Sequence, residues 1–180
     1  WFAQTCPEVG DHETCVERAT MYGATACHIH GGVMDHLLAQ RRLDEIPPVV
    51  ERIRERGMLA GIAGHNPKVF EWAEQNLDVD YYMCSYYNPI RRDKRPDHVA
   101  GLQEYYLDED RDTMLALIKN LSKPAIHYKV MAAGRNDPEE ALAVVGQNLR
   151  ENDAVCVGVY TKDKTNMLEE DIALLEKYTE

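Results

Sequence analysis

Along the chain, short apolar runs rich in β-formers alternate with longer stretches of helical period. The runs predict strands at 1–5, 24–30, 58–64, 79–87, 124–132 and 153–159. Between them, Leu43, Ile46, Val49, Val50 and Ile53 fall at the three-and-four spacing of a buried helical stripe over 43–57. Met114, Leu115, Leu117, Ile118 and Leu121 repeat that pattern. Helix starts are marked as well: Asn66 and Asp137 each stand before a proline, a capping side chain ahead of a residue suited to the first helical position. Glu139 and Glu140 follow Pro138, where a helix N-terminus favours negative charge.

Strand followed by helix, repeated about six times, predicts parallel strands joined by right-handed crossovers. A doubly wound sheet and a (β/α)8 barrel both satisfy that rule. No G-x-G-x-x-G follows the first strand, and several strands carry polar residues toward their C-terminal ends, where barrel enzymes assemble their sites. The expected fold class is therefore α/β, a TIM barrel that is incomplete or truncated at its N-terminus. A full barrel typically takes about 250 residues, and this chain has 180, read as one domain.

Strand side chains alternate between faces. His28 and His30 then share one face, opposite Cys27 and Ile29, and point into the barrel with His30 at its mouth. Leu59, Gly61, Ala63 and, at the strand exit, His65 share a face by the same rule. Continued to residue 132, the fifth run pairs His127 with Lys129, opposite Ile126, Tyr128 and Val130, while Cys84 and Tyr86 form another pair. Burying several imidazoles is costly unless each finds a partner, so their recurrence at one end points to a polar pocket. Lys129 on an inward position must either pair with an anion or lose charge by desolvation and become a candidate nucleophile or base.

Two loops add candidate anion contacts. "AAGRND" at 132–137 joins a strand to a helix start, so its N–H groups and Arg135 suit a phosphate, and "YTKDKTN" at 160–166 holds the equivalent place after the last strand. The segment from 88 to about 108, with Tyr105, Tyr106 and the basic cluster Arg91, Arg92, Lys94 and Arg95, is long for a connection and is read as a roof favouring an anionic substrate.

Charge narrows the partners. The net charge is −11 and basic residues are scattered outside 90–95, which disfavours nucleic acid and an anionic membrane surface. No apolar run approaches the roughly 20 residues that span a bilayer. Five cysteines without a C-x-x-C pair read as small buried hydrophobes in a reducing, cytoplasmic setting. A small-molecule substrate is the expected partner. Apolar edges of an incomplete barrel also need cover, which a homo-oligomer would supply.

"HIHGG", "GIAGHNPKVFEWA", "YYNP", "IHYKVMAAGR" and "VCVGVYTKDKTNMLEEDIALLEKY", in that order, resemble the landmarks of the C-terminal six β/α units of the aldo/keto reductases. The resemblance covers nearly the whole chain. It implies a carbonyl substrate positioned by His30, a nicotinamide stacked on Tyr87 ahead of Asn88, and NADP or NAD phosphates held by Gly134, Arg135, Thr161 and Lys162. The family's proton-donating tyrosine and its aspartate lie upstream of the histidine matched by His30, outside this chain. The lysine of its third strand is replaced, since "FAQTC" offers Gln4 and Thr5, which implies altered or lost reductase activity.

Other chemistries fit the same residues. His28, His30 and His65 suit a divalent metal of a hydrolase, isomerase or lyase, H-x-H placing two imidazoles on one side of a strand. Inward-facing carboxylates are lacking for that reading. Lys129 suits a Schiff base if a neighbour lowers its pKa, and a non-catalytic barrel remnant is the remaining reading. His30, His65 and Lys129 are the candidate catalytic residues.

Overall fold

The computed structural model describes residues 1–90, 92, 94–97, 101–162 and 164–179. Six parallel strands, β1 (Phe2–Gln4), β2 (Ala26–Ile29), β3 (Leu59–Gly64), β4 (Tyr81–Ser85), β5 (Ala125–Tyr128) and β6 (Ala154–Cys156), pair in sequence order. Helices α1 (His12–Met21), α2 (Gly31–Gln40), α3 (Pro47–Glu55), α4 (Pro67–Asn76), α5 (Asp108–Ile118) and α6 (Pro138–Asn148) connect them, and α7 (Met167–Thr179) follows β6. Every expected strand is present, each of them shortened.

Capping chemistry sets the helix starts. Asn66 accepts the N–H of Lys68 ahead of Pro67, and Asp137 accepts the N–H groups of Glu139 and Glu140 ahead of Pro138. The stripe over 43–57 is not one helix. Leu43–Glu45 forms a 3-10 turn, and α3 begins only at Pro47, because the Pro47–Pro48 pair supplies no N–H to continue an earlier turn.

The sheet is curled. Tyr81 on β4 meets Phe2 on β1 with 5.2 Å between ring centroids, although three strand spacings of ~4.8 Å would hold these strands roughly 14 Å apart in a flat sheet. The curl is toward the face bearing His28. Helices cover the opposite face, where Cys27, Ile29, Ala60, Ile62, Tyr82 and Cys84 pack with Val16, Met34, Ile53, Phe70, Met114 and Ile118. The fold is thus a curled half-barrel, with β1 and β6 as its edges among the described residues. Phe2 and Leu59 on the concave side are 49% and 47% exposed.

Tyr81 crosses that concave side because Gly61 leaves room: a Cβ there would lie 2.5 Å from the tyrosine ring. Among the described residues no helix is long and apolar enough to cross a membrane.

One face assignment is corrected. Cys84 pairs with His127, and Ser85 with Tyr128, so Tyr128 lies on the concave side while His127 faces the helices. The expected strand to residue 132 instead ends at Tyr128, and Lys129 takes a left-handed φ of 59°. Alternation therefore stops one residue before Lys129 and says nothing about its direction. Cys84 and Tyr86 are likewise on the helix side, fully enclosed in the core.

Candidate functional site

The C-terminal ends of β1, β2, β3 and β5 converge on a small polar cavity. His30 follows β2 directly and serves as N-cap of α2, and its own N–H donates to Thr5 Oγ1 at 3.1 Å. The chain can turn so tightly there because residue 32 is glycine: a Cβ would stand 2.6 Å from the Pro96 carbonyl oxygen and 2.8 Å from the His30 ring.

His65, just past β3, is held by Asp35 of α2. The His65 and Asn66 N–H groups each donate to Asp35 Oδ1 at 3.1 Å, and His65 Nδ1 lies 2.6 Å from Asp35 Oδ2. A carboxylate oxygen accepts, so the Nδ1 proton points at Asp35, and in the neutral ring Nε2 is left as an acceptor. The Tyr128 hydroxyl stands 3.3 Å from that Nε2. Carboxylate, imidazole and phenol thus form one hydrogen-bonded chain. Burial first, and the negative charge of Asp35 next, push the Tyr128 pKa well above that of an ordinary phenol, so Tyr128 keeps its proton at neutral pH.

Lys129 adjoins this chain. Burial, reinforced by the Arg92 guanidinium and opposed by Glu104, lowers its pKa. Among the described residues its amine makes no hydrogen bond and no ion pair. Gln4, His30, His65, Arg92, Glu104, Tyr128 and Lys129 share a cavity of about 140 Å³. His30, His65 and Lys129 therefore line one cavity.

His28 is not part of this cavity. Its Nδ1 accepts from the Tyr81 hydroxyl at 3.1 Å and its Nε2 donates to Gln4 Oε1 at 3.2 Å. Burial first, and His30 second, push its pKa down to about 4. His28, His30 and His65 do not converge as ligands, and among the described residues no three His, Cys, Asp or Glu side chains are gathered in a metal-binding geometry. His127 belongs to the core: its Nδ1 accepts from the Tyr86 hydroxyl at 2.9 Å, and its Nε2 donates to Asp153, which Arg150 clamps from the other side.

A larger groove of about 800 Å³ opens beside the cavity and shares Tyr128 and Lys129 with it. Gly134 lines this groove. Thr161 and Lys162 are exposed and do not line it. The Arg135 guanidinium lies over the Tyr106 ring, 4.5 Å from its centroid. Tyr87 is 1% exposed, edge-on to Tyr106, and its hydroxyl accepts from Asn136 Nδ2 at 2.8 Å. Asn88 sits elsewhere, in a hollow that it lines with Pro89, Ile90, Leu102 and Tyr105, with its N–H directed to Asp110. Lys94 and Arg95 line that same hollow, and Arg91 lies outside the described residues.

A nicotinamide dinucleotide fits this groove poorly. Among the described residues, four carboxylates line it, Asp137, Glu139, Glu170 and Asp171, against two amines, Lys129 and Lys164. Lys164 is already paired with Glu170, and Glu139 with Lys177. The first N–H groups of α6, which would otherwise receive a phosphate, are capped by Asp137. Tyr87 has no open ring face on which a nicotinamide could stack.

Alternation along the strands does not reveal Asp35 or Tyr128. Asp35 carries a signal of another kind, a lone acid among Val33, Met34 and Leu37 on a largely buried helix. Tyr128 falls on the concave side only when β5 is given its true end.

No family model matches the chain, and no curated protein matches it. Among solved structures, the chain is similar to "Putative aldo-keto reductase from Pseudomona aeruginosa", with a TM-score of 0.57 and 13% sequence identity over 94% of this chain. The chain spans 59% of that protein's length. At this identity the likeness is one of fold.

Proposed function

We propose that this aldo-keto reductase-like half-barrel belongs to a TIM-barrel enzyme acting on a small carbonyl compound, moving a proton adjacent to the carbonyl through Tyr128. The hydrogen-bonded chain Asp35–His65–Tyr128, ending in the cavity beside Lys129, carries this reading. Tyr128 takes the substrate proton as its own phenolic proton passes to His65 Nε2. Asp35 then faces the positive charge that forms on the ring, as the carboxylate of a hydrolase triad faces its histidine. The Lys129 amine, as a hydrogen-bond donor at the cavity wall, faces the substrate oxygen where negative charge develops.

The cavity volume favours a compact substrate, because pockets for drug-sized ligands run to roughly 300–1,000 Å³. Reduction with NADP or NAD is the weaker reading, because the neighbouring groove is lined by acids.

The test is exchange of substrate hydrogen for deuterium in heavy water, followed by proton NMR with pyruvate, dihydroxyacetone and dihydroxyacetone phosphate. Tyr128→Phe should slow exchange by about 10²-fold or more, the usual contribution of a positioned acid–base group. Exchange at the wild-type rate in that variant, or none with any of the three compounds, overturns the proposal.

A further inference from the structure

Lys129 carries three features that acid–base chemistry at Tyr128 does not require. Its backbone is left-handed, with φ at 59°, a conformation that side chains other than glycine rarely adopt and that recurs at functional sites. The turn is fixed by the Ala132 N–H, which donates to the Lys129 carbonyl at 2.9 Å. The result is an amine lining the cavity just where strand alternation ends. That amine is half-buried and, among the described residues, has neither a hydrogen bond nor an ion pair. A lysine whose task is structural would be expected to hold a carboxylate.

Arg92 supplies the second, independent observation. It is 7% exposed, lines the same cavity, and its Nη1 donates to the carbonyls of Pro96 and Asp97. Its Nε is buried and, among the described residues, has no hydrogen-bond partner. A buried donor left unmatched is costly, and an anion is the ligand that satisfies a guanidinium best.

We propose that Lys129 is a nucleophile that condenses with the carbonyl of a small 2-oxo acid to form an imine, with Arg92 receiving the acid's carboxylate. This deepens the reading of the cavity as a carbonyl site and rests on it. The Nζ lone pair attacks the carbonyl carbon, and the C=O π pair moves to oxygen. The amine gives up its two protons, which Tyr128 passes to that oxygen one after the other. The first makes the carbinolamine hydroxyl, and the second lets it leave as water while nitrogen closes the C=N bond. Amine and ketone become imine and water, with no oxidant or reductant involved.

The amine must be unprotonated to attack. Burial and Arg92 favour that state and Glu104 opposes it, while, among the described residues, His30, His65 and Tyr128 are the other titratable groups lining the cavity. At a given pH Lys129 should therefore react faster than an exposed lysine.

The experiment is borohydride trapping with pyruvate at pH 7, read by intact mass and peptide mapping. One adduct per chain on Lys129 is expected. Lys129→Met should abolish it, and Arg92→Gln should reduce pyruvate labelling at least tenfold while changing labelling by dihydroxyacetone, which has no carboxylate, far less. Mapping on the wild-type chain decides the matter even if a variant fails to fold. Label spread evenly over surface lysines, or retained in Lys129→Met, overturns the proposal. Hydrogen exchange that depends on Tyr128 without any trapped adduct removes the imine and leaves the acid–base reading standing. Loss of both removes the site.

Discussion

His28 shows what a buried imidazole does to stability when it serves no reaction. It accepts from Tyr81 and donates to Gln4, both contacts needing the neutral ring, and its pKa falls from about 6.5 to about 4 through burial and the nearby His30. The folded state binds its proton less readily than the unfolded chain does. Stability is then fully present above pH 6.5 and drains away as the pH falls toward 4, by roughly 3 kcal/mol in all. His127 acts in the same direction, since burial lowers its pKa as well. Denaturant titrations at half-unit pH steps should show the unfolding free energy dropping across that window. His28→Gln should flatten the drop, and an unchanged slope in that variant would assign the loss to other groups.

At the scale of elements, β5 and β6 explain both what the sequence discloses and what it hides. Helix starts are plain because capping is local: Asn66–Pro67 and Asp137–Pro138 announce themselves within two residues. Strand centres are plain because apolar runs are. The inward faces of β2 and β3 follow from alternation, which brings His30 and His65 to one cavity. The face of β5 does not, because its apolar run continues past the strand into a left-handed turn, and nothing in "IHYKVMA" marks Tyr128 as the last extended residue. Reading the phase from Lys129 backward places His127 inside, whereas the register places Tyr128 there.

The true environment of His127 is a structural clamp between strands. Asp153, its side chain fully buried, accepts from the Ala125 N–H at 2.7 Å, from His127 and from Arg150, whose Nη groups also donate to the Leu121 and Lys123 carbonyls. Burial pushes the Asp153 pKa up, but those donors outweigh it and hold the carboxyl ionised. Asp153→Ala should cost about 3–5 kcal/mol, the usual penalty for leaving one partner of a buried ion pair uncompensated. Thermal and denaturant unfolding measure it, and a cost below about 1 kcal/mol would mean that water reaches Arg150 and His127 at no penalty.

For the whole molecule, the curl of the sheet puts the mouth residues within reach of one another and leaves the two edges unequal in stability. β3 lies at the centre with five of its six residues buried, whereas β6 has no fully buried residue, and α7 contributes none either. The last unit is attached chiefly through α7 against α6, where the Tyr178 backbone packs so closely on Gly146 that a Cβ would collide with it. Sparse burial means that this unit should open without the rest. Amides of Ala154–Cys156 and Met167–Thr179 should exchange at least tenfold faster than those of Leu59–Gly64. Gly146→Ala should widen the gap by loosening α7 and leave β2 to β4 unchanged, since the collision is confined to the α6–α7 contact. Both effects are read by hydrogen–deuterium exchange with mass spectrometry. Uniform protection across all six strands would mean that the half-barrel opens as one unit, and the acid-lined groove between α6 and α7 would then be as rigid as the cavity beside it.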